Sequence, residues 1–175
     1  MLDRSKLKFA PRDAFEVVLE WAVIPTFDLV IELASSQVGS LAEAEASGAP
    51  TGSRPAVALV RRRIAPYRDT WALPGLRMFK PESIEDVLRR VALDELGLEI
   101  DVDSARFLGQ FVGRFRTEHQ RQDLSTGYVV RATDGTPTPN PAHFTSWRPI
   151  TSMADVPRST GAMYRHYLTR YFDGS

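Results

Sequence analysis

The residues best suited to chemistry lie on a helix that the sequence predicts from Ser83 to Leu96. Glu95 lies one turn beyond Val91, so it falls on the apolar stripe that must face the core, which consists of Ile84, Val87, Leu88 and Val91. A carboxylate on such a stripe is costly unless a cation or hydrogen bonds compensate it. The residues alone leave two interpretations: Glu95 binds a metal at the edge of the core, or the last turn frays and leaves it in water.

A second row of charged residues follows the same helix at i, i+4 spacing, and consists of Glu82, Asp86, Arg90 and Asp94. Such a row is typical of a solvent-exposed face with salt bridges, and it predicts that Arg90 pairs with Asp86 or Asp94. Ser83 is a suitable N-cap for the helix, and Gly97 is a suitable residue to end it.

The elements around this helix predict a mixed α/β sandwich in which a mixed sheet lies between helices, rather than a regular βαβ alternation. Further helices are predicted at 11–20 and 161–172, and strands at 26–33, 56–63, 98–102, 105–115, 126–133 and 144–148. Residues 1–175 are expected to form a single domain, in which 35–55 is a surface-loop insertion because it is rich in Ser, Gly, Ala and Glu.

The composition excludes several classes of function. The chain has no cysteine, which rules out disulfides, thiolate metal sites and cysteine nucleophiles. Its 22 basic and 22 acidic residues balance, so no global field attracts nucleic acid or a membrane. The charged segment Met1–Ala10 does not look like a secretory signal, and no apolar run is long enough to span a bilayer. We therefore expect a cytoplasmic protein.

The segment from Gly75 to Leu98 resembles the Nudix box, whose pattern is G-x5-E-x7-R-E-U-x-E-E-x-G-U, where U is a bulky aliphatic residue. The matching residues are Glu82, Arg90, Glu95, Gly97 and Leu98, with Asp94 as a conservative match. Two positions depart from the pattern. Leu76 stands where the first glycine is expected, and Val91 stands where a typical Nudix pyrophosphatase has a glutamate for metal binding or water activation.

Within this superfamily the chain is most similar to the GDP-mannose mannosyl hydrolases, which also carry an aliphatic residue after the arginine. The resemblance covers nearly the whole chain apart from about twenty residues around Ser35–Arg54. Its landmarks are Phe27-Asp28-Leu29-Val30-Ile31-Glu32, Arg62, Trp71-Ala72-Leu73-Pro74-Gly75, Arg77, Asp123-Leu124-Ser125-Thr126-Gly127-Tyr128, Trp147 and Tyr171-Phe172. Gly127 replaces a histidine of that family.

The resemblance implies the Nudix fold and hydrolysis of a nucleotide sugar by attack of water at the anomeric carbon, with GDP as the leaving group. It also implies Mg²⁺, with Mn²⁺ as an alternative, and a homodimer. A dimer would cover the apolar side of the first helix, which carries Phe15, Val18 and Leu19. The expected partners are therefore a nucleotide-sugar substrate and a second copy of the chain, without nucleic acid or membrane.

The resemblance also suggests roles for individual residues. The metal ligands would be the Gly75 carbonyl and Glu95, with Asp94 and Glu82 as further carboxylates. Arg62 and Arg77 would clamp the diphosphate, because a guanidinium binds phosphate oxygens bidentately. His143 would be the general base, and Asp28 and Tyr128 would contact the substrate. Arg62 is the natural partner for an inward-facing Asp28. Ala142 stands where the family has a metal-binding glutamine.

Two alternatives stay open. The first is a Nudix pyrophosphatase for another nucleoside diphosphate derivative such as ADP-ribose, using Glu82, Asp94 and Glu95. The second is a catalytically weakened Nudix domain that binds a ligand, which is favoured by the departures at Leu76, Val91, Gly127 and Ala142.

Overall fold

The computed structural model describes residues 3–38, 55–65, 67–115 and 121–174. Its helices are α1 (Arg12–Trp21), α2 (Ser35–Val38), α3 (Ile84–Leu96) and α4 (Ala162–Asp173), with 3-10 turns at Arg4–Lys6 and Met153–Asp155. Its strands are β1 (Ile24–Leu33), β2 (Ala56–Arg62), β3 (Trp71–Ala72), β4 (Gly75–Arg77), β5 (Glu99–Phe115), β6 (Arg121–Asp134) and β7 (Phe144–Ile150). The insertion predicted at 35–55 begins with α2, and its residues 39–54 lie outside the described residues. None of the helices described here is long and apolar enough to cross a membrane.

The strands form one seven-stranded mixed sheet in the order β3-β2-β1-β6-β5, with β4 paired to β1 and β7 paired to β2. β1 runs parallel to β6, so that Thr26 lies opposite Ser125. It runs antiparallel to β4, so that Asp28 lies opposite Gly75. The first half of β1 therefore has β4 on one side and the polar start of β6 on the other.

The core lies on both faces of the sheet, as the sequence predicts. Leu29 and Ile31 pack with the buried stripe of α3, whereas Val30 between them packs with Tyr167 and Leu168 of α4. This alternation follows from the period of two in a strand. The molecule is therefore a mixed sheet between α3 and α4, which confirms the predicted α/β sandwich.

Both ends of α3 form as predicted. The Ser83 hydroxyl accepts a hydrogen bond from the backbone N–H of Asp86, whose carboxylate accepts one from the backbone N–H of Ser83. This reciprocal capping box satisfies donors that a helix start otherwise leaves unpaired. Gly97 ends the helix in the left-handed conformation, at φ 65°. The caps place Glu95 within the last turn rather than in a frayed end.

Two strand predictions were wrong in their boundaries. β5 is one strand from Glu99 to Phe115, where the sequence suggested two, because the hydrogen bonds of Asp103 N–H and the Ser104 hydroxyl to Asp101 accommodate an irregularity without ending the strand. β6 begins at Arg121, five residues earlier than the sequence predicts. The early start matters because it adds polar side chains to the candidate site.

Candidate active site

A cleft of about 320 Å³ opens beside the first half of β1, β4, the end of β2 and the start of α4. Six of the residues predicted from the sequence line this cleft: Asp28, Arg62, Gly75, Arg77, Glu95 and His143. They come from four different elements and from the loop before β7. The fold therefore brings together residues that lie more than a hundred positions apart in the chain.

Glu95 and His143 form a pair at the wall of the cleft. The Glu95 side chain is 2% exposed, and its Oε1 lies 2.6 Å from His143 Nδ1. Burial raises the pKa of Glu95, while the hydrogen bond and charge of His143 act in the opposite direction. When neutral His143 donates its Nδ1 hydrogen to this carboxylate, its Nε2 remains as a proton acceptor.

The Pro-rich loop before β7 positions His143 by capping the end of α3. The N–H of Thr138 donates to the Leu96 carbonyl at 2.8 Å, and the N–H of Asn140 donates to the Glu95 carbonyl at 2.9 Å. The side-chain amide of Asn140 donates to the Asp94 carbonyl at 3.2 Å. These bonds satisfy carbonyls that a helix end leaves unpaired. The same helix end thus carries Glu95 and holds the loop that presents His143.

Arg90 forms its ion pair with Glu82, eight residues earlier, where the sequence predicted Asp86 or Asp94. Glu82 also accepts a hydrogen bond from the Phe79 N–H at 2.7 Å, and Arg90 donates to the Arg77 carbonyl at 2.8 Å. The two side chains are nearly fully buried. They join the 77–82 turn to α3, which a local helix pattern cannot foresee. The metal-ligand role of Glu82 stays a prediction, and it would require this pair to open.

Three arginines surround the open part of the cleft: Arg62, Arg77 and Arg121. Arg121 is bidentate to Asp123, with N–O distances of 2.6 and 2.5 Å, and Arg77 lies 4.0 Å above the ring of Phe15. Burial, and then the charges of Arg121 and Arg90, lower the pKa of Arg77. Neighbouring cations repel one another, so an anion in the cleft would relieve this repulsion.

Asp28 faces into the protein, and its direct partner is Ser125, where the sequence suggested Arg62. The Ser125 hydroxyl donates to Asp28 Oδ2 at 2.5 Å, and the Tyr167 hydroxyl lies 2.9 Å from the same Ser125 oxygen. Burial raises the pKa of Asp28 to about 7, against the effects of Ser125 and of the Arg62 charge. Arg62 thus influences Asp28 through its charge, while Ser125 makes the contact.

Replacing Asp28 by Asn is expected to stabilise the fold above neutral pH. The pKa of Asp28 is about 7 in the fold, against an ordinary 3.8, so the folded state holds an extra proton between those values. The stability that this raised pKa contributes is fully present at pH values below the ordinary pKa. It is lost as the pH rises through about 7. The wild type should lose up to about 4 kcal/mol across this window, and the Asn variant should not.

Urea unfolding in metal-free buffer at several pH values would measure this difference. The charged neighbours Arg62, Arg121 and Asp123 are present in both proteins, so the comparison isolates the titration of Asp28. Parallel pH profiles of the two proteins would show that the carboxylate is not destabilised by burial.

Three predicted site residues lie outside this cleft: Glu82, which pairs with Arg90, and also Tyr128 and Asp94. Tyr128 points to the opposite face of β6, where its ring packs near Phe27 and Phe107 at centroid distances of 6.3 and 5.9 Å. Asp94 lines a second cavity of about 510 Å³, on the other side of Glu95 and His143. That cavity is bounded by the N-terminal segment and by the turn before α3, through Leu7, Phe9 and Phe79.

The described residues of the cleft offer few protein ligands, so the cleft suits a divalent cation whose remaining ligands come from the phosphates of a substrate and from water. In the described part of the chain, no group of three or more His, Asp or Glu side chains is arranged to hold a metal. Glu95 Oε1 pairs with His143 Nδ1, so Oε2 would be the oxygen left to bind a cation, and Gly75 lines the same cleft. Proteins commonly bind Mg²⁺ through one or two carboxylates, with phosphates and water completing the shell.

Sequence reasoning missed Arg121, Asp123 and the contact of Ser125. These residues alternate along β6, so their side chains share the face that Asp28 presents on β1. The alternation of polar residues at 121, 123 and 125 was the available signal. Because the strand was predicted to begin at Thr126, these residues were assigned to the preceding loop or quoted only as part of a motif.

Comparison with known proteins gives several matches. Low-salt glycan biosynthesis protein Agl8 from Haloferax volcanii is 35% identical over 71 residues, a match that spans 41% of this chain and 44% of that protein. The solved MutT NUDIX hydrolase of Burkholderia pseudomallei superposes with a TM-score of 0.60 at 18% identity, covering 82% of this chain and 95% of that one. The NUDIX domain of Shewanella oneidensis NrtR, complexed with ADP ribose, gives 0.58 at 18% identity, covering 95% and 92%.

The two structures show that the fold is shared, since their identity to this chain is low. The matched part of the curated relative is less than half of its length. The family model described as the NUDIX domain matches residues 45–172, which include β2–β7, α3, most of α4 and every predicted site residue except Asp28. With the cleft built around the end of α3, this match shows that the chain belongs to the NUDIX domain family.

Proposed function

We propose that this NUDIX protein hydrolyses a nucleotide sugar by attack of water at the anomeric carbon, so that the nucleoside diphosphate leaves. The observation that carries the proposal is the Glu95–His143 pair, which lies in one cleft with Arg62, Arg77 and Arg121. NUDIX hydrolases generally act on nucleotide derivatives and use divalent metal ions. The proposal concerns which bond is broken and which substrate is used.

His143 supplies the general base in this proposal. Its side chain is 33% exposed and lines the cleft, while Glu95 fixes the ring through Nδ1. A carboxylate that accepts from Nδ1–H holds the imidazole in the tautomer whose Nε2 can take a proton from water, and stabilises the imidazolium that forms. Glu95 therefore orients the base through one oxygen, and its other oxygen would bind the cation.

The lack of a carboxylate at position 91 favours attack at carbon over attack at phosphorus. Val91 lies on the buried face of α3 that packs in the core, with 0% exposure. It cannot activate water or bind metal, which is what the glutamate expected there in a typical Nudix pyrophosphatase does. The remaining base, His143, approaches from the β7 side of the cleft. This arrangement suits a reaction in which the diphosphate leaves instead of being attacked.

The leaving diphosphate gathers negative charge, and the cleft offers positive charge to receive it. Arg62, Arg77 and Arg121 line the cavity, and a guanidinium binds phosphate oxygens bidentately. Glu95 and the Gly75 carbonyl would hold a divalent cation, which when bound supplies further charge stabilisation to the diphosphate. Asp28, which lines the same cleft, would accept a hydrogen bond from a sugar hydroxyl.

The two cavities on either side of Glu95 and His143 match the two ends of a nucleotide sugar. The cleft with the arginines suits the sugar and the diphosphate. The second cavity exposes the ring of Phe9 beside that of Phe79, with centroids 4.5 Å apart, and Asp94 and Asn140 provide polar groups. Aromatic rings with a few polar partners suit a nucleobase. The name of the relative Agl8, a glycan biosynthesis protein, supports a sugar-containing substrate.

Incubation with GDP-mannose and with ADP-ribose in the presence of Mg²⁺, followed by chromatography of the products, tests the proposal. We expect GDP and free mannose from GDP-mannose. GMP and mannose 1-phosphate, or AMP and ribose 5-phosphate from ADP-ribose, would instead identify a pyrophosphatase. Binding of either compound without turnover would identify a ligand-binding domain.

The homodimer and the cytoplasmic location stay predictions of this proposal. Helix α1 contains no buried residue, and it exposes Val17, Val18 and Trp21 by 58%, 40% and 79%. A second copy packed against α1 would cover this surface. Phe15 of the same helix stacks on Arg77, so such an interface would border the cleft.

A further inference from the structure

A chain of hydroxyl groups runs from helix α4 to the floor of the cleft. The Tyr167 hydroxyl donates to the Ser125 carbonyl at 2.8 Å and lies 2.9 Å from Ser125 Oγ. Ser125 Oγ in turn donates to Asp28 Oδ2 at 2.5 Å. Because Ser125 gives its only hydroxyl proton to Asp28, the Tyr167 proton is directed at the two Ser125 oxygens. All three side chains are buried, with exposures of 0% for Tyr167 and Ser125 and 4% for Asp28.

Gly127 is what allows this arrangement. A Cβ atom at position 127 would lie 2.6 Å from a ring carbon of Tyr167, closer than real Cβ contacts come. The bare backbone at Gly127 therefore lets the Tyr167 ring lie against β6, and its hydroxyl then reaches Ser125, two residues earlier on the same face. Gly127, which stands where the resembling family has a histidine, thus leaves the room that the Tyr167 ring occupies in this chain.

We infer that Tyr167 is a positioning residue, which acts through Ser125 to hold the Asp28 carboxylate in place for the substrate. Ser125 fixes Oδ2 by its hydrogen bond, and Asp28 lines the cleft together with Gly75. Oδ1 faces the Gly75 backbone, since a Cβ there would lie 2.2 Å from it. The inference rests on the proposed function for the role of Asp28, but not for the geometry of the chain of hydroxyls. Gly127 is part of this arrangement, because its bare backbone makes room for the Tyr167 ring.

Replacing Tyr167 by Phe removes only the hydroxyl, and Tyr171→Phe is the matched control. Tyr171 lies one turn later on α4, is also buried, and donates its hydroxyl to Glu32 at 3.0 Å, away from the cleft. We expect Tyr167→Phe to raise KM for GDP-mannose and to lower kcat/KM by about tenfold. Tyr171→Phe should alter only the stability. Gly127→Ala should reproduce the kinetic effect by displacing the ring.

The Asp28→Asn background shows whether Tyr167 acts through Asp28. In that background Tyr167→Phe should change kcat/KM little, because the carboxylate that it positions is gone. A full tenfold loss there, or equal kinetic losses in the two Tyr→Phe variants, would overturn the inference.

Crystal structures of the ligand-free wild type and Tyr167→Phe separate this inference from the proposed function. We expect the Ser125 side chain to turn and the contact between Asp28 and Ser125 to lengthen in the variant. If the wild type does not turn over GDP-mannose, the proposed function fails. The two structures then still decide whether Tyr167 positions Asp28 through Ser125. An unchanged contact between Asp28 and Ser125 would overturn the positioning role.

Discussion

Replacing Glu95 by Gln is expected to remove most of the affinity for Mg²⁺ and to lower turnover by roughly a hundredfold or more. The substitution keeps the shape of the side chain but removes the negative charge that would bind the cation. It also removes the carboxylate that orients His143, whose Nδ1 lies 2.6 Å from Glu95 Oε1. Glu95→Gln should have both effects because one carboxylate oxygen contacts His143 and the other would bind the cation.

Mn²⁺ binding, followed by electron paramagnetic resonance, would measure the metal affinity beside the steady-state rates. Glu85→Gln is the matched control, since Glu85 lies exposed in the first turn of the same helix. A Glu95→Gln variant that keeps metal affinity and activity would contradict the assignment of Glu95. If Glu82→Gln lost both instead, the buried pair of Glu82 and Arg90 would have to open during the reaction.

Replacing His143 by Ala should slow turnover by roughly a hundredfold or more and leave KM for the nucleotide sugar nearly unchanged. The general base contributes mainly in the transition state, so its loss falls on kcat. Removing the imidazole leaves Glu95 without its partner but still able to face a cation. Metal affinity should therefore survive in this variant, in contrast to Glu95→Gln.

Added imidazole gives an independent measurement. Within the space left by the missing ring, it should restore part of the turnover of the Ala variant, because the Pro-rich loop stays bound to the end of α3 through Thr138 and Asn140. Turnover of His143→Ala at the wild-type rate would show that another group activates water.

Helix α3 shows why part of the site could be predicted from sequence. Its caps at Ser83 and Gly97 and its apolar stripe are local signals, and they fix the position of Glu95 to within a residue. The strand pattern of β1 likewise places Asp28 on a strand between apolar neighbours. Such local features specify which face a side chain occupies whenever the element and its boundaries are identified correctly.

The rest of the site depends on contacts between distant segments. The pair of Arg90 and Glu82 forms because a turn folds back onto α3, and helical spacing instead favoured partners four residues away. The contact of Asp28 with Ser125 requires the parallel pairing of β1 with β6, which joins residues 97 positions apart. Because β6 was predicted to begin at Thr126, the sequence also did not show that Arg121, Asp123 and Ser125 share one face of this strand.

Tyr128 illustrates the same limit in a single residue. Its place in a recognised segment suggested contact with the substrate, but alternation along β6 turns it to the face of the α3 core while Ser125 and Gly127 face α4. A one-residue difference along a strand reverses the direction of a side chain. The motif located the strand, and the register decided which of its residues reach the cleft.

Hydrolysis of GDP-mannose in ¹⁸O-labelled water tests most directly whether this NUDIX protein breaks the bond at carbon. Mass spectrometry of the products reports where the oxygen from water enters. If His143 activates water against the anomeric carbon, the label will appear in the mannose and the GDP will be unlabelled. Label in a phosphate product, with an unlabelled sugar, would contradict the account and show that the enzyme attacks phosphorus.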